Sequence, residues 1–340
     1  MKVTKLIIGL CAISALSCRG PNPMGKASVT VRVVDQDGMP VSGAEVRGSF
    51  EYTDFDSDSY KVLTDTNGVI SASGRLMNIF NCFVKKDGYY ESSEVFRWKE
   101  AYSSAELKDG KWQPWNPTIE IVLKEKKNPI SLIVRNLKLD VPQLETPYGL
   151  DLEIGDWVAP YGKGETVDLL VKAKGHRNQT DFYDWSFGLD ISFPNDHDGI
   201  QKFTFPLNIN NNPMGSELKS ENLAPESGYE TAWSCLKVSR GSDTQELDGI
   251  GYYLRTRTKY DETRKVITDA VYSKVYGRIG GGMRHNNEPP FGGSPYIMFT
   301  YYMNPTSNDR NVEYDGKNNL AKEAAPPGER SNPVYSANQP

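Results

Sequence analysis

The histidines are the first side chains to consider for chemistry, because imidazole is a common metal ligand. The chain has 340 residues and only three histidines, His176, His197 and His285. Residues 285–288 read H-x-x-E, but a zinc site of that kind needs a further histidine downstream, and none follows His285. No histidine stands in an H-E-x-x-H motif. The sequence therefore predicts no metal site.

Loop and nucleophile motifs are the next candidates. Residues 195–199, Asn-Asp-His-Asp-Gly, carry a D-x-D-G core, but Pro194 replaces the first carboxylate of a calcium loop and no glutamate closes it. We interpret them as a hairpin tip. Residues 280–282 are a glycine run without the Lys-Ser or Lys-Thr of a phosphate loop, and no G-x-S-x-G elbow is present. The sequence predicts no catalytic residue and no cofactor, and it favours a protein that is not an enzyme. A carboxylate pair assembled only by folding stays open.

Two tryptophans offer a different chemistry. Trp112 and Trp115 lie three residues apart in a segment that contains Pro114 and Pro117. Exposed indole rings can stack on sugars, whereas buried rings mainly contribute packing. We favour the second interpretation and expect both rings to fill the gap between two domains.

Composition limits the class of protein and the class of partner. The chain is 38% hydrophobic and 24% charged, and its 19 Tyr, 12 Phe and 6 Trp are too many for a disordered protein. The formal charge of −5 disfavours binding to the negatively charged phosphate backbone of a nucleic acid. We therefore expect a chain that folds in water and does not bind nucleic acid.

The N-terminus is typical of an exported protein. Lys2 and Lys5 precede an apolar stretch from Leu6 to Leu16, which is too short to span a bilayer. Residues 15–18, Ala-Leu-Ser-Cys, resemble a bacterial lipobox, in which the cysteine after the cleavage point receives a diacylglycerol and a further acyl chain such as palmitate. We predict a signal peptide over residues 1–17, lipid attachment at Cys18 and a tether over residues 18–25. Plain secretion with cleavage at the same bond is the alternative.

The first stretch of the mature chain is patterned as strands and tight turns. Residues 28–34 alternate valine with other residues, the period of a half-buried strand. Residues 35–46 read D-x-D-G-x-P-V-x-G-A-x-V, residues 64–70 read T-D-x-N-G-x-x and residues 86–90 read K-x-G-Y-Y. These motifs resemble the carboxypeptidase regulatory-like family, a small prealbumin-type β-sandwich. The resemblance covers residues 26–125 and implies a spacer or binding accessory, without peptidase activity.

The remainder is also patterned as strands. Residues 183–193 alternate aromatic or aliphatic side chains with small or polar ones, and similar runs recur near 252–258, 270–279 and 296–303. We predict a second, larger β-rich domain over residues 129–314, an antiparallel sandwich or a jelly-roll-like fold, and a disordered tail over residues 315–340. Residues 152–164 and 302–311 resemble segments of uncharacterised exported bacterial lipoproteins, which implies no mechanism.

Together these observations predict an all-β protein with an N-terminal prealbumin or Ig-like β-sandwich and a second β-domain. Its expected location is the cell envelope, held in the outer membrane through the lipid on Cys18. The favoured function is a non-catalytic lipoprotein with a binding or structural role, and a carbohydrate-binding or carbohydrate-processing surface protein is the alternative. The partner classes left open besides the membrane are a glycan and another envelope protein.

Overall fold

The computed structural model describes residues 24–51, 57–77, 79–98, 107–208, 212–238, 249–284 and 292–321, together with Glu288, Pro290 and Pro340. Across these ranges the regular structure consists of β-strands, so the predicted all-β class is confirmed. No apolar helix of membrane-spanning length occurs in the part described. Residues 1–23, including Cys18, lie outside it, so the structure does not test the predicted signal, lipid site and tether.

The strands fall into two groups along the chain. Those of the first group are β1 Gly25–Asp35, β2 Glu45–Glu51, β3 Ser57–Leu63, β4 Val69–Leu76, β5 Ile79–Lys85, β6 Ser92–Arg97, β7 Leu107–Lys108, β8 Lys111–Trp112 and β9 Thr118–Leu123. Those of the second are β10 Ile130–Asp140, β11 Pro147–Asp151, β12 Asp156–Trp157, β13 Leu169–Arg177, β14 Trp185–Ser192, β15 Gly199–Thr204, β16 Gly215–Ser216, β17 Ala232–Val238, β18 Ile250–Asp261, β19 Val266–Met283, β20 Pro295–Asn304 and β21 Tyr314–Asn319.

The first group forms a sandwich of two sheets. In one sheet β1 pairs antiparallel with β4 and parallel with β9 and β8, and in the other β6, β5, β2 and β3 are neighbours in that order. The alternating Val29, Val31 and Val33 of β1 are fully buried and pack with Val46 and Phe80 of the facing sheet. The period-2 pattern therefore forms the core, as the sequence predicts.

The turn motifs of this sandwich have a direct physical role. The Asp35 carboxylate accepts hydrogen bonds from the amides of Asp37 and Met39, and Asp65 does the same for Asn67 and Val69. Each aspartate thereby satisfies amides of a tight turn that leads the chain from one sheet to the other.

Gly68 shows why one of these turns requires glycine. Its φ is +72°, and a Cβ atom there would lie 2.4 Å from the carbonyl oxygen of Val33. The Asn-Gly pair therefore allows the turn between β3 and β4 to pass close to β1.

The second group forms a larger sandwich. One sheet runs β15-β18-β19-β20-β10-β21 and the other β12-β11-β13-β14-β17. The predicted strand at 183–193 is β14, in which Phe187, Leu189 and Ile191 are buried against the facing sheet. This core is larger than that of the first sandwich, as expected for longer strands.

A crossing segment, residues 212–224, joins the two sandwiches. Its strand β16 pairs antiparallel with β6 of the first sandwich, at Gly215↔Ser93 and Ser216↔Ser92. Further along, the Val312 amide donates to the carbonyl oxygen of Asn222 at 3.0 Å. The crossing segment is thus bonded to both sandwiches.

Two expectations need correction. Residues 315–319 were expected to be disordered, but they belong to β21, which pairs parallel with β10. Trp112 was expected between the domains, but it is buried in the core of the first sandwich and donates its Nε1–H to the carbonyl oxygen of Leu76 at 3.0 Å. Backbone pairing with β10 orders the polar strand β21. Trp112 belongs to the short strand β8, which directs its ring into the core of the first sandwich.

Candidate functional site

An open cavity of about 730 Å³ lies at one end of the second sandwich. We call it the basic aromatic groove and define it by the side chains and backbone that line it. They are Lys138, Arg177, Phe182, Trp185, Lys237, Gly281, Gly282, Met283, Arg284, Tyr296 and Met298.

The groove forms where strands of both sheets reach their ends. Lys138, Arg177 and Lys237 lie at or near the last residues of β10, β13 and β17. Trp185 is the first residue of β14, and Tyr296 is the second of β20. Side chains at these positions extend beyond the packed core, so polar and aromatic groups from both sheets meet there.

The glycine run at residues 280–282 keeps one wall of the groove close to its neighbours. A Cβ atom at Gly281 would lie 2.1 Å from the carbonyl oxygen of Tyr296 and 2.8 Å from the Phe187 ring. At Gly282 it would lie 3.2 Å from the Tyr296 hydroxyl oxygen. Side chains at either position would displace strand β20 or the Tyr296 ring, so the run shapes the cavity.

The cations of the groove lie over its rings. The Arg177 guanidinium is 5.0 Å from the centroid of Phe182, and Lys237 Nζ is 6.0 Å from that of Trp185. The Tyr296 ring has Arg284 at 5.5 Å and Lys138 at 5.9 Å. These cation–π contacts hold the rings half-buried and leave positive charge at the rim.

One carboxylate lies close to the rim. Asp140 Oδ1 accepts from both Nε and Nη2 of Arg284, at 2.8 Å in each case. The bond fixes the orientation of the guanidinium. Aromatic faces beside cations suit a ligand that has flat apolar faces and anionic groups, since rings stack and cations bind carboxylate or sulfate oxygens.

A second concentration of charge, the carboxylate cluster, consists of Asp151, Glu153 and Asp168 around Arg257. Arg257 Nε donates to Asp168 Oδ1 at 2.8 Å and Nη2 to Asp168 Oδ2 at 3.0 Å. Nη1 donates to Glu153 at 2.7 Å, and Nη2 also contacts Asp151 at 3.2 Å. Arg257 occupies a bulge of β18 with φ +58°, a backbone conformation that is rare outside glycine.

Backbone amides complete the carboxylate cluster. Asp151 accepts from Ile154 at 3.1 Å and from Glu165 and Thr166 at 2.9 Å. Burial alone would raise the pKa of Asp151, but these amides and Arg257 together hold it below its usual value.

Asp168 is fully buried, and burial raises its pKa against the opposing effect of Arg257. Asp168 also accepts from the Leu152 amide at 2.8 Å. The carboxylate cluster therefore ties residues 151–168 to β18 through bonds that occupy its oxygens. We interpret it as structural.

Asp198, in the former calcium candidate, has a similar role. It is buried and accepts from the Thr258 amide at 2.9 Å, while the carbonyl oxygen of Asn195 accepts from the Asp198 amide at 3.0 Å. These contacts are those of a turn, but the predicted hairpin is wrong, because β14 and β15 on either side of it belong to different sheets. No group of three or more His, Cys, Asp or Glu side chains is arranged to hold a metal ion in the residues described.

The other residues singled out in the sequence are scattered. His176 lies near the protein surface beside Asp184 at 2.9 Å, His197 stacks on Tyr260, and His285 lies outside the described residues. The cysteines Cys82 and Cys235, which were not among the residues singled out, are buried and not in a disulfide. Trp115 is 42% exposed, with Lys111 Nζ 5.1 Å from its ring.

Sequence reasoning missed the basic aromatic groove, because its lining residues come from distant segments. The one local signal was the glycine run at 280–282, which was tested only as a phosphate loop.

Comparison with known proteins gives only distant similarities. No protein-family model matches the chain, and no curated protein is similar to it in sequence. A 3-chlorocatechol 1,2-dioxygenase from Rhodococcus opacus is 12% identical with a TM-score of 0.22, and the match covers 29% of this chain and 59% of that enzyme. The chain thus spans less than two thirds of that enzyme's length.

Two further structures match over more of the chain. A DUF3823 family protein from Parabacteroides merdae is 9% identical with a TM-score of 0.20, over 81% of this chain and 98% of that one. BcpA, the major pilin subunit of Bacillus cereus, is 12% identical with a TM-score of 0.21, over 85% and 99%. At these scores nothing about activity follows from the similarity.

Proposed function

We propose that the chain is a non-catalytic lipoprotein of the cell envelope that binds an acidic glycan in the basic aromatic groove. The observation that carries the proposal is the meeting of Phe182, Trp185 and Tyr296 with Lys138, Arg177, Lys237 and Arg284 around one cavity. Sugar rings present apolar faces that stack on aromatic rings, and uronate or sulfate groups accept charge-assisted hydrogen bonds.

Binding rather than turnover is supported by how the acidic groups are used. Asp140 is bonded to Arg284, and the carboxylate cluster is bonded to Arg257 and to backbone amides. A glycosidase needs one carboxylic acid and one carboxylate directed at the same glycosidic bond. The groove instead offers cations and rings, which hold an acidic sugar without cleaving it.

A glycan array with neutral, uronate-containing and sulfated polysaccharides tests this function on the mature full chain. We expect binding to the acidic members, and Trp185→Ala should lower the affinity roughly tenfold, as about 1.4 kcal/mol of stacking requires. Trp115→Ala is the matched control, because Trp115 is an exposed tryptophan of the first sandwich. No binding to any acidic glycan, or equal losses in both variants, would overturn the assignment.

The envelope location rests on the N-terminal sequence and has its own test. Cys18→Ala should move the protein from the detergent-requiring membrane fraction to the soluble fraction, because the several acyl chains of a lipoprotein anchor stably where one chain binds reversibly. Mass spectrometry of the mature N-terminal peptide should show a lipid on Cys18. An unmodified Cys18 would contradict the lipid anchor and favour plain secretion. It would not affect the proposal that the groove binds a glycan.

A further inference from the structure

The hairpin tip between β13 and β14, residues 178–184, carries an exposed aromatic ring beside the basic aromatic groove. Tyr183 of this tip is 62% exposed. Its ring lies edge-on to that of Phe182, with the two centroids 5.3 Å apart and the ring planes at 86°. Phe182 lines the groove, so Tyr183 continues the aromatic wall of the groove beyond the cavity.

Hydrogen bonds within the hairpin tip fix the place of Tyr183. The Asn178 amide donates to the carbonyl oxygen of Asp184 at 2.9 Å, and Asn178 Nδ2 donates to Asp184 Oδ2, also at 2.9 Å. The Tyr183 amide donates to Asp181 Oδ1 at 2.9 Å. A ring on a backbone that is held in this way loses little conformational freedom when a ligand stacks on it, so less binding energy is spent on ordering the site.

Tyr183 is more open to a ligand than the three rings that line the groove. Phe182, Trp185 and Tyr296 are half-buried, and a cation lies 5.0 to 6.0 Å from the centroid of each ring. A bound sugar must share those rings with the cations. More than half of Tyr183 is accessible, and it lies outside the lining of the cavity. A sugar residue can therefore stack on Tyr183 only when the ligand extends past the cavity.

A second exposed tyrosine shows that exposure alone does not make a sugar site. Tyr161 is 56% exposed, and its ring lies edge-on to that of Tyr148, with the centroids 4.7 Å apart. Tyr148 pairs with Val171 near the start of β13, whereas Arg177 of the groove is the last residue of that strand. Single exposed aromatic rings are common on protein surfaces. The adjoining groove, with its cations, is therefore what distinguishes Tyr183 from Tyr161.

We propose that Tyr183 is an outer stacking subsite of the groove and that the ligand is a polysaccharide chain rather than a mono- or disaccharide. This role of Tyr183 rests on the proposed function, because the sugar on Tyr183 is joined to the acidic sugars that the groove cations hold. The cavity of about 730 Å³ is in the range that holds one compact small molecule. A polymer continues from the cavity past the Phe182 ring onto Tyr183, where it gains a separate stacking contact.

Calorimetric titration of the mature full chain with acidic oligosaccharides of increasing length tests the subsite. The probes are oligogalacturonates and heparin-derived oligosaccharides, each series running from a disaccharide to a decasaccharide. In a series that binds, the affinity of the wild type should rise with length and level off once the chain reaches Tyr183. Tyr183→Ala should lower the affinity for the longest members roughly tenfold and change that for the disaccharide less than about twofold. Tyr183→Phe should keep the wild-type profile, since it keeps the stacking face.

Two matched variants separate the subsite from the groove. Trp185→Ala should weaken short and long members alike, because Trp185 lines the cavity itself, and Tyr161→Ala should leave every affinity unchanged. If Tyr183→Ala binds the long members as tightly as wild type, or loses the same factor for short and long members, the outer subsite is overturned while the binding itself still supports the proposed function. A complete absence of binding in both series would overturn the proposed function and the subsite with it.

Discussion

The second sandwich contains two concentrations of charge with opposite designs. In the carboxylate cluster Arg257 is bonded to three acidic side chains, and backbone amides take further oxygens, with Asp151 and Asp168 buried. In the basic aromatic groove Lys138 and Lys237 are exposed and lie beside aromatic rings that line an open cavity. The first region bonds its charges to one another inside the fold, whereas the second arranges cations and half-buried rings around an open cavity.

On the proposed function, this difference separates charges that stabilise the fold from charges that bind a ligand. Buried polar groups require partners, so a fully bonded cluster is explained by folding alone. The groove instead combines cations with half-buried rings around an open cavity, which is the arrangement that the proposed function assigns to a ligand. Substitutions in the two regions should consequently affect different quantities.

The largest effect is expected from Arg257→Met, which leaves Asp151 and Asp168 buried without their cation. The free energy of unfolding should fall by about 3–5 kcal/mol in chemical denaturation, as for one half of a buried ion pair. Glycan affinity of the protein that remains folded should not change. Arg264→Met, at a 79% exposed arginine 3.7 Å from Asp261, should cost less than about 0.5 kcal/mol. Similar losses of unfolding free energy in Arg257→Met and Arg264→Met would contradict the structural role of the carboxylate cluster.

A smaller effect is expected from Arg177→Gln combined with Lys237→Gln, and it should appear in glycan binding rather than in stability. Affinity for the acidic glycan should fall about a hundredfold, following about 1.5 kcal/mol for each charged hydrogen bond, and the loss should shrink at high salt. The melting temperature should stay within about 2 °C of wild type, since surface substitutions cost little.

The control for this pair is Lys259→Gln, at a lysine whose side chain is 74% exposed and bonded to Asp269. It should leave the affinity unchanged. A large loss of stability in the Arg177 and Lys237 double variant would instead make the groove part of the structural framework.

The smallest effect concerns pH and the Asp151 carboxylate. Its folded-state pKa lies below the ordinary 3.8, so its ionised form stabilises the fold above that value and the contribution is lost as pH falls through the folded-state pKa. The difference in free energy of unfolding between wild type and Asp151→Asn should be full above about pH 5 and decline below pH 4. Urea titrations at several pH values measure it, and a constant difference would show that the Asp151 charge does not contribute.

Much of the first sandwich was predictable because its determinants are local. The alternation of Val29, Val31 and Val33 selects a strand and its buried face, and Asp35 and Asp65 bond amides only two and four residues away. Such patterns depend only on the spacing of residues within one turn or one strand, and that spacing can be read directly from the sequence.

Sequence patterns failed where backbone contacts or short strands decided the outcome. Residues 315–319 are polar and show no alternation. The side-chain amide of Asn319 nevertheless bonds the backbone N–H and the backbone carbonyl of Val134, and this orders the strand. Trp112 and Trp115 look alike in sequence, but one is buried and the other 42% exposed. Strand pairing uses backbone groups that every residue carries, so side-chain polarity alone could not exclude β21.

By itself, the sequence determined the all-β class, the strands that alternate most regularly and the role of residues 195–199 as a turn. Only the tertiary structure decided which charges meet. Arg284 and Asp140 are 144 residues apart, and Arg257 and Asp151 are 106 apart, yet both pairs are bonded. The physical reason is that strand order and the stacking of two sheets bring distant residues together, while the periodicity of a single strand specifies only which face each residue occupies.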